Sequence, residues 1–451
     1  MRNAAPLTAV ILLSAALAAP FCLSAEPAMI RLAGTPEEIG TTWGEMNKEV
    51  IRRDVEENYL KKAAEKGISR ETLLKRSAAS VRIIEEIAPH WLVEARAVAR
   101  AAGVEEEVYV AYIDGVVRNR FLGEAPEECT SYAVHPSFTR DGAILFHKTR
   151  DNRDVAQAVY LVDSSLEGIN KFIAVSNATG MAGFSMMVNE KGLAGCGDYP
   201  ANRKTQSSEL HLEPAPDKYR GVMGGTILRH IAETASNCDE ALAIIEKCVA
   251  NGWYAGGSVG GNHWLFVDRK GTVLEVCNNP GDVTSKVHTQ KVYFSARNKS
   301  DAAKRLRESE EPIDFHLFHD VARDPSICLT NSISGMTVEI DPARPDLFTC
   351  AWITLPVKSV AFPVFMGQNR TPACLLDGEV YALGKPLEGK TRLWEAVERT
   401  THAAKERLVD DLAAGLAEGG DPEATADTLE AWSAMQAGML LEVLGAMQEE
   451  E

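Results

Sequence analysis

The sequence predicts an α+β fold, with helices and strands gathered in separate runs. Two observations predict it. Near residue 127 the chain changes character: Thr35 to Val117 carries apolar residues at helical spacing, and after Cys129 short apolar and aromatic runs alternate with turns. The strands then come in groups, broken by groups of helices, and this ordering argues against a doubly wound parallel sheet. No internal repeat or low-complexity segment interrupts the pattern. With 451 residues, 45% hydrophobic and 25% charged, the chain can bury one full-sized core or two small ones and is too apolar to be disordered. Its 34 Gly and 20 Pro follow no collagen period. A formal net charge of −17 makes it a poor partner for nucleic acid, whose phosphates it would repel.

The elements follow in order. Residues 1–25 read as a secretory signal peptide: Met1-Arg2-Asn3 is the positive start, Leu7 to Ala19 the apolar stretch, and Leu23-Ser24-Ala25 the small-residue cleavage site. That stretch is short for a membrane span, which needs about 20 residues. The expected location is periplasmic or secreted, with no stable membrane association. Thr35-Pro36-Glu37-Glu38 opens the first helix, with Thr as cap and Pro in the first turn. Ser69-x-x-Thr72 opens a second, Pro89 begins a third, and Val104 to Val117 forms a fourth. Arg118 to Glu128 reads as a polar connector.

Strands are expected at Ser131–Val134, Ala143–Lys148, Ala158–Val162, Lys171–Val175, Ala182–Val188 and Leu193–Gly197, the last two joined by the turn Asn189-Glu190-Lys191-Gly192. After a polar loop, helices are expected near Gly225–Ala235 and Cys238–Ala250. Strands return at Asn262–Val267 and Thr272–Cys277 around Asp268-Arg269-Lys270-Gly271, then at Lys291–Phe294, Met336–Ile340 and Phe348–Ile353. Val357 to Phe365 is apolar but broken by Lys358 and Pro363. Thr391 to Met447 is helical, interrupted at Gly419-Gly420-Asp421-Pro422.

Several chemistries are absent or weak. The cysteines form no zinc pattern and read as buried small hydrophobes, although Cys328 and Cys350 flank a hairpin and could pair. Gly256-Gly257-Ser258-Val259-Gly260 spells a nucleophile elbow, but a helix precedes it and a strand follows, the reverse of what an elbow needs. His316 and His319 read as packed or solvated histidines rather than a metal pair. No metal site and no cofactor are expected.

The informative stretch is Glu127-Glu128-Cys129-Thr130-Ser131, where a cysteine stands at the mouth of the first strand. The next strand ends His147-Lys148-Thr149-Arg150-Asp151. Antiparallel pairing of the two would bring Asp151 beside Cys129. This suits one chemistry: a cut before Cys129 frees an α-amine with a pKa of ~7.7–8.0, close to that of a thiol at ~8.5, so one residue holds nucleophile and base. Asp151 would orient the amine.

Over nearly its whole mature length the chain resembles the N-terminal-nucleophile hydrolases of the acyl-coenzyme A:6-aminopenicillanic acid acyltransferase group (peptidase family C45), relatives of the choloylglycine hydrolases and penicillin V acylases. The resemblance rests on Ile30 to Gly40, Ala88-Pro89-His90-Trp91 through Val104, Cys129-Thr130-Ser131, Val188 to Leu193, and Asn262 to Asp268. It implies a four-layer αββα sandwich, a helical prosegment or small chain at 26–128, and a catalytic region at 129–451. The implied activity is that of an autoproteolytically activated hydrolase or acyltransferase, cut between Glu128 and Cys129, acting on linear amide C–N bonds of small N-acyl compounds. Cys129 would be the nucleophile and Asp151 the family's aspartate. Asn262 and Asn298 are the candidates for the oxyanion donor, with Asn331 a weaker one. Lys148 stands where the family usually has arginine, so the substrate-side role falls to Lys148 or Arg150. Asp198 stands where the choloylglycine branch has asparagine; an ionised carboxylate cannot donate, so a backbone N–H near Asp198-Tyr199 would serve. The alternatives are a C69-like dipeptidase on the same fold, which would need a carboxylate-lined pocket, and a non-catalytic secreted binding protein.

Overall fold

The computed structural model describes residues 27–115, 117–118, 122, 129–180, 183–198, 221–254 and 261–449. The leader, Glu128, Tyr199 and Gly256 to Gly260 lie outside the described residues.

The first stretch is helical for local reasons. Thr35 caps Pro36–Met46 in a reciprocal capping box with Glu38, and Ser69 caps Arg70–Ile87. His90–Ala102 ends at Gly103, whose φ of +74° supplies the left-handed stop. Pro36–Met46 packs on His90–Ala102 at very short range. A Cβ on Gly40 would come within 2.3 Å of the Glu94 carbonyl oxygen, and one on Gly44 within 2.6 Å of that of Val98.

The described residues form sixteen strands. In chain order they are β1 (Met29–Ile30), β2 (Leu32–Gly34), β3 (Cys129–Val134), β4 (Ile144–Asp151), β5 (Gln157–Ser164), β6 (Phe172–Asn177), β7 (Met186–Asn189) and β8 (Ala194–Asp198). They continue with β9 (Asn262–Val267), β10 (Val273–Asn279), β11 (Asp282–His288), β12 (Val292–Phe294), β13 (Ser332–Ile340), β14 (Cys350–Thr354), β15 (Ala361–Phe365) and β16 (Thr371–Pro372). One sheet runs β11-β10-β9-β8-β7-β6-β5-β2 and the other β12-β3-β4-β13-β14-β15; β1 pairs with β16. Every pairing is antiparallel except that of β2 with β5.

Period-2 alternation sorts these strands into shared cores. Ile144 and Phe146 of β4, Val159 and Leu161 of β5, Leu265 of β9 and Val338 of β13 belong to one apolar core drawn from both sheets. The alternate residues of the eight-stranded sheet, among them Tyr160, Phe172 and Trp264, pack with the helices of residues 36–113 and with Gly224–Thr234 and Cys238–Ala250. The alternate residues of the six-stranded sheet, Tyr132, Leu145 and Trp352, pack with Asp301–Glu308 and Phe315–Asp320. The turns are side-chain built. Asn189 accepts from the backbone N–H groups of Lys191 and Leu193 while its amide donates to the carbonyls of Ala232 and Ala235 at a helix end.

The architecture is mixed helix and sheet. It departs from the sequence reading at β1, β2, β11, β15 and β16, which that reading did not assign. β13 also begins at Ser332, four residues earlier than expected. The eight described cysteines are buried thiols, and Cys328 and Cys350 are not joined. No helix among the described residues is long and apolar enough to cross a membrane.

Candidate active site

Cys129 is the first residue of β3 and pairs with Arg150 across the β3–β4 ladder, with Asp151 next in line. Along β4 the face that carries Ile144 and Phe146 into the apolar core continues into Lys148 and Arg150, so the space between the sheets turns polar at this end. Cys129, Lys148, Arg150, Asp151 and Asn262 all line one cavity of about 380 Å³.

The Cys129 sulfur accepts a hydrogen bond from the Asp151 backbone N–H. Burial pushes the thiol above its ordinary pKa; Lys148 opposes that, while Asp198 and Asp151 add to it. The Asp151 carboxylate is buried and accepts from the Ser332 hydroxyl at 2.5 Å. Lys148 is 1% exposed, and its Nζ lies 3.0 Å from Asp198 Oδ1, 2.6 Å from the Gly197 carbonyl oxygen and 3.0 Å from that of Ser185. Three acceptors thus engage the three N–H bonds of the ammonium. Burial lowers the Lys148 pKa, but Cys129 and Asp198 outweigh it and hold the group charged. Asp198 also accepts from the Ser131 hydroxyl at 2.6 Å; burial raises its pKa, and Lys148 and Ser131 more than reverse that.

Asn262 opens β9 and is 3% exposed, yet neither polar atom of its amide has a hydrogen-bond partner among the described residues. The amide packs where only glycine allows it: a Cβ on Gly197 would sit 2.8 Å from Nδ2. A buried amide left open at a cavity is available to a ligand's oxygen.

The remaining candidates fall elsewhere. Asn298 is exposed in the turn after β12, bonded to Arg307, and does not line the cavity. Asn298 thus lies apart from the cavity that Asn262 lines, because the chain leaves the sheet before Asn298. Asn331 offers its carbonyl to the Asn152 N–H. Asp198 is not a lining residue but stands behind Lys148. Arg150 donates to Gln157 at 2.9 Å and to Asn177 at 2.8 Å, which fixes its guanidinium against the cavity wall. His319 bonds Thr337 at 2.7 Å and stacks on Phe315, a packed histidine.

Sequence reasoning missed the wall contributed from before Cys129: Lys62, Tyr112, Asp114 and Arg118. Asp114 caps Gly224–Thr234 from outside, accepting from the Met223 N–H at 3.0 Å and the Thr226 hydroxyl at 2.8 Å. Met223 has no side chain able to cap, a local signal that some distant group must do so. One group has metal-ligand chemistry, His263, Glu275 and Cys277. Its donors are engaged by neighbours: His263 Nε2 lies 2.8 Å from Glu275 and 2.9 Å from the Tyr293 hydroxyl, and His288 bonds Glu275 at 2.7 Å. Burial lowers the His263 pKa, but Cys277 and Glu275 carry it well above its usual value.

No protein-family model matches the chain, and no curated protein matches it. Among solved structures, the chain is similar to penicillin V acylase from Agrobacterium tumefaciens at 13% identity, over 53% of this chain and 86% of the acylase, with a TM-score of 0.37. It is also similar to two variants of conjugated bile acid hydrolase from Clostridium perfringens, at 11% and 10% identity, over 53% of this chain and 92% of each, with TM-scores of 0.36 and 0.35.

Proposed function

We propose that the protein is an autoproteolytically activated cysteine N-terminal-nucleophile enzyme that hydrolyses, or transfers the acyl group of, small N-acyl amides. One observation carries this reading. Cys129 opens β3 at a cavity, with Asp151 beside its cross-strand partner and the open amide of Asn262 on the same lining.

Scission of the Glu128–Cys129 bond frees the α-amine. That amine takes the thiol proton, and the sulfur attacks the amide carbon. The oxyanion that forms accepts from Asn262 Nδ2, a donor already in place before charge develops. The amine returns its proton to the leaving nitrogen, the C–N bond breaks, and the acyl group remains on sulfur until water or another amine takes it. Lys148, clamped by Asp198, is a fixed positive charge beside the sulfur and has no N–H left for substrate. On this reading the three apolar cores are those of a four-layer αββα sandwich, residues 26–128 are the small chain and 129–451 the catalytic region. The leader sends the protein to the periplasm or outside the cell.

The charge of the cavity weighs against a dipeptidase. Its described lining carries Lys62, Arg118, Lys148, Arg150 and Arg153 against Asp114 and Asp151, unlike a pocket for a substrate charged at its amino end.

The test is a panel of N-acyl amides and dipeptides incubated with purified protein, with released amine followed by mass spectrometry. The reading expects amine from at least one N-acyl amide and none with Cys129→Ala. Release from dipeptides alone would favour the dipeptidase. No release from any substrate, together with no thioester on Cys129 after treatment with an activated acyl donor, would leave a binding protein.

A further inference from the structure

One buried carboxylate joins the two sheets behind the proposed nucleophile. Ser131 and Lys148 are cross-strand partners on β3 and β4 of the six-stranded sheet, in the same ladder that pairs Cys129 with Arg150. Asp198 ends β8 of the eight-stranded sheet. The Ser131 hydroxyl donates to Asp198 Oδ2 at 2.6 Å, and the Lys148 ammonium lies 3.0 Å from Oδ1. Neighbouring side chains of one sheet thus grip both oxygens of a carboxylate of the other. Lys148 also donates to the carbonyl oxygens of Gly197 at 2.6 Å and Ser185 at 3.0 Å. Ser295, whose hydroxyl accepts from the Ser131 N–H at 2.9 Å, bonds Asp198 as well. Lys148 is 1% exposed and Asp198 4%.

A pair buried this completely is not needed to hold two layers together. Desolvating two charges costs about what their attraction returns, and well-packed apolar side chains of similar volume join layers as firmly. The same strands do so one alternation further in, where Ala133 of β3, Phe146 of β4 and Cys196 of β8 belong to the apolar core between the sheets. The pair is also oriented. Lys148 lines the cavity together with Cys129, while Asp198 stands behind it and does not. The cationic end therefore faces the sulfur and the place where negative charge develops, and the anionic end is set back. Between charges in a water-poor site the nearer one dominates. Lys148 favours the thiolate of Cys129, and Asp198 opposes it more weakly.

We propose that Lys148 and Asp198 form a paired-charge brace that sets the reactivity of the Cys129 thiol: the ammonium raises it, and the carboxylate holds the ammonium in place and limits its effect. Both are positioning residues, acting through Cys129 and breaking no bond themselves. The inference rests on Cys129 being the nucleophile of the function proposed above. The other titratable groups around the thiol stay unchanged in every variant below. From the two sheets these are Arg150 and Asp151 of β4, Arg153 just after it, Cys196 of β8, and His263, which pairs with Asp198 across the β8–β9 ladder. From the described upstream side of the cavity they are Lys62, Tyr112, Asp114 and Arg118.

The experiment reads the thiol itself, so it stands apart from turnover. Cys129 is alkylated with iodoacetamide across a pH series in the parent, Lys148→Met, Asp198→Asn and the double variant, and its modification is followed by peptide mass mapping. Intact mass reports whether the bond before Cys129 is cut, and forms in the same state are compared. The two partners of this one ion pair should move the profile in opposite directions, Asp198→Asn to lower pH and Lys148→Met to higher pH. A charge beside a titrating group moves its pKa by about 1–3 units, so the two variants should differ at least about tenfold in alkylation rate at neutral pH. Lys148→Met leaves a carboxylate buried without its cation, which can cost it the fold. The double variant buries no unpaired charge and carries the test in that case: it should be alkylated more slowly than the parent, because it loses the nearer, cationic end. Single variants that leave the profile unmoved or shift it the same way, as loss of a purely structural brace would, overturn the proposal. So does a double variant indistinguishable from the parent. Opposed shifts in a protein that releases no amine from any N-acyl amide would keep the brace and sink the enzymatic reading.

Discussion

Asn262→Ala separates a donor held for a reaction from an asparagine held for the fold. In the resting protein the Asn262 amide makes no hydrogen bond among the described residues, so its removal breaks none. An unsatisfied buried polar group costs roughly 1–3 kcal/mol, and its loss offsets the packing lost with the side chain; folding stability should change by less than about 1 kcal/mol. In the transition state the same amide is the oxyanion donor. Loss of one such donor costs roughly 10²–10³ in kcat, about 2.7–4 kcal/mol, with KM little altered. Asn189 is the internal control. Its amide donates to Ala232 and Ala235 at 3.0 and 2.7 Å and accepts from Lys191 and Leu193 at 3.2 and 3.1 Å. At roughly 0.5–1.5 kcal/mol each, Asn189→Ala should lose about 2–6 kcal/mol of stability and keep its kcat. Urea denaturation and steady-state kinetics on the two variants read both quantities. The reasoning fails if Asn262→Ala is destabilised like Asn189→Ala while its kcat stays within about threefold of the parent.

Three further outcomes are expected. Asp151→Asn removes a charge that favours the protonated α-amine of Cys129, so the residual activity should be low but extend to lower pH than in the parent; a superimposable pH–rate profile would remove Asp151 from the site. Arg229→Ala leaves Glu94 and Glu233 buried without their cation and should cost about 3–5 kcal/mol; in the parent the two pieces should co-elute on native size exclusion after the cut, and their separation there would refute the wall contributed from before Cys129. Burial pushes the Glu398 carboxyl up, but Arg323, donating at 2.8 and 2.5 Å, and His319 pull it down to about 2 from 4.5. Its folded pKa is depressed, so its contribution, about 3 kcal/mol, is present above pH ~4.5 and lost as pH falls toward 2. Glu398→Gln should therefore be less stable at pH 7 and show a flatter acid limb in a pH series of urea midpoints; an unchanged acid limb would assign the protection elsewhere.

What could be read from the sequence follows what is local. The capping box at Thr35, the turns at Asn189 and Asp268, and the change of texture at Cys129 are written in neighbouring residues, and the strands and helices there were placed nearly in full. The juxtaposition of Cys129 with Asp151 required only that consecutive strands pair. The misses have physical causes. β11 is an edge strand whose only apolar residues are Val283 and Val287, with Val287 exposed, so no apolar alternation marks it. β15 contains Pro363, which an edge strand tolerates because one side of its ladder is unpaired. β2 is three residues long and is held by a parallel partner 130 positions away. The clamp of Asp198 on Lys148 and the cap that Asp114 places on Met223 act over 50 and 109 positions, and no periodicity reports such distances.

The central claim is that Cys129 becomes an N-terminal nucleophile by cutting the bond before it. Intact-mass spectrometry of the purified protein after denaturation tests this most directly, with Cys129→Ala prepared in parallel. The account predicts two masses for the parent, one piece ending at Glu128 and one beginning at Cys129, and a single uncut chain for the alanine variant. A parent that remains one chain and still releases amine from an N-acyl amide would contradict it.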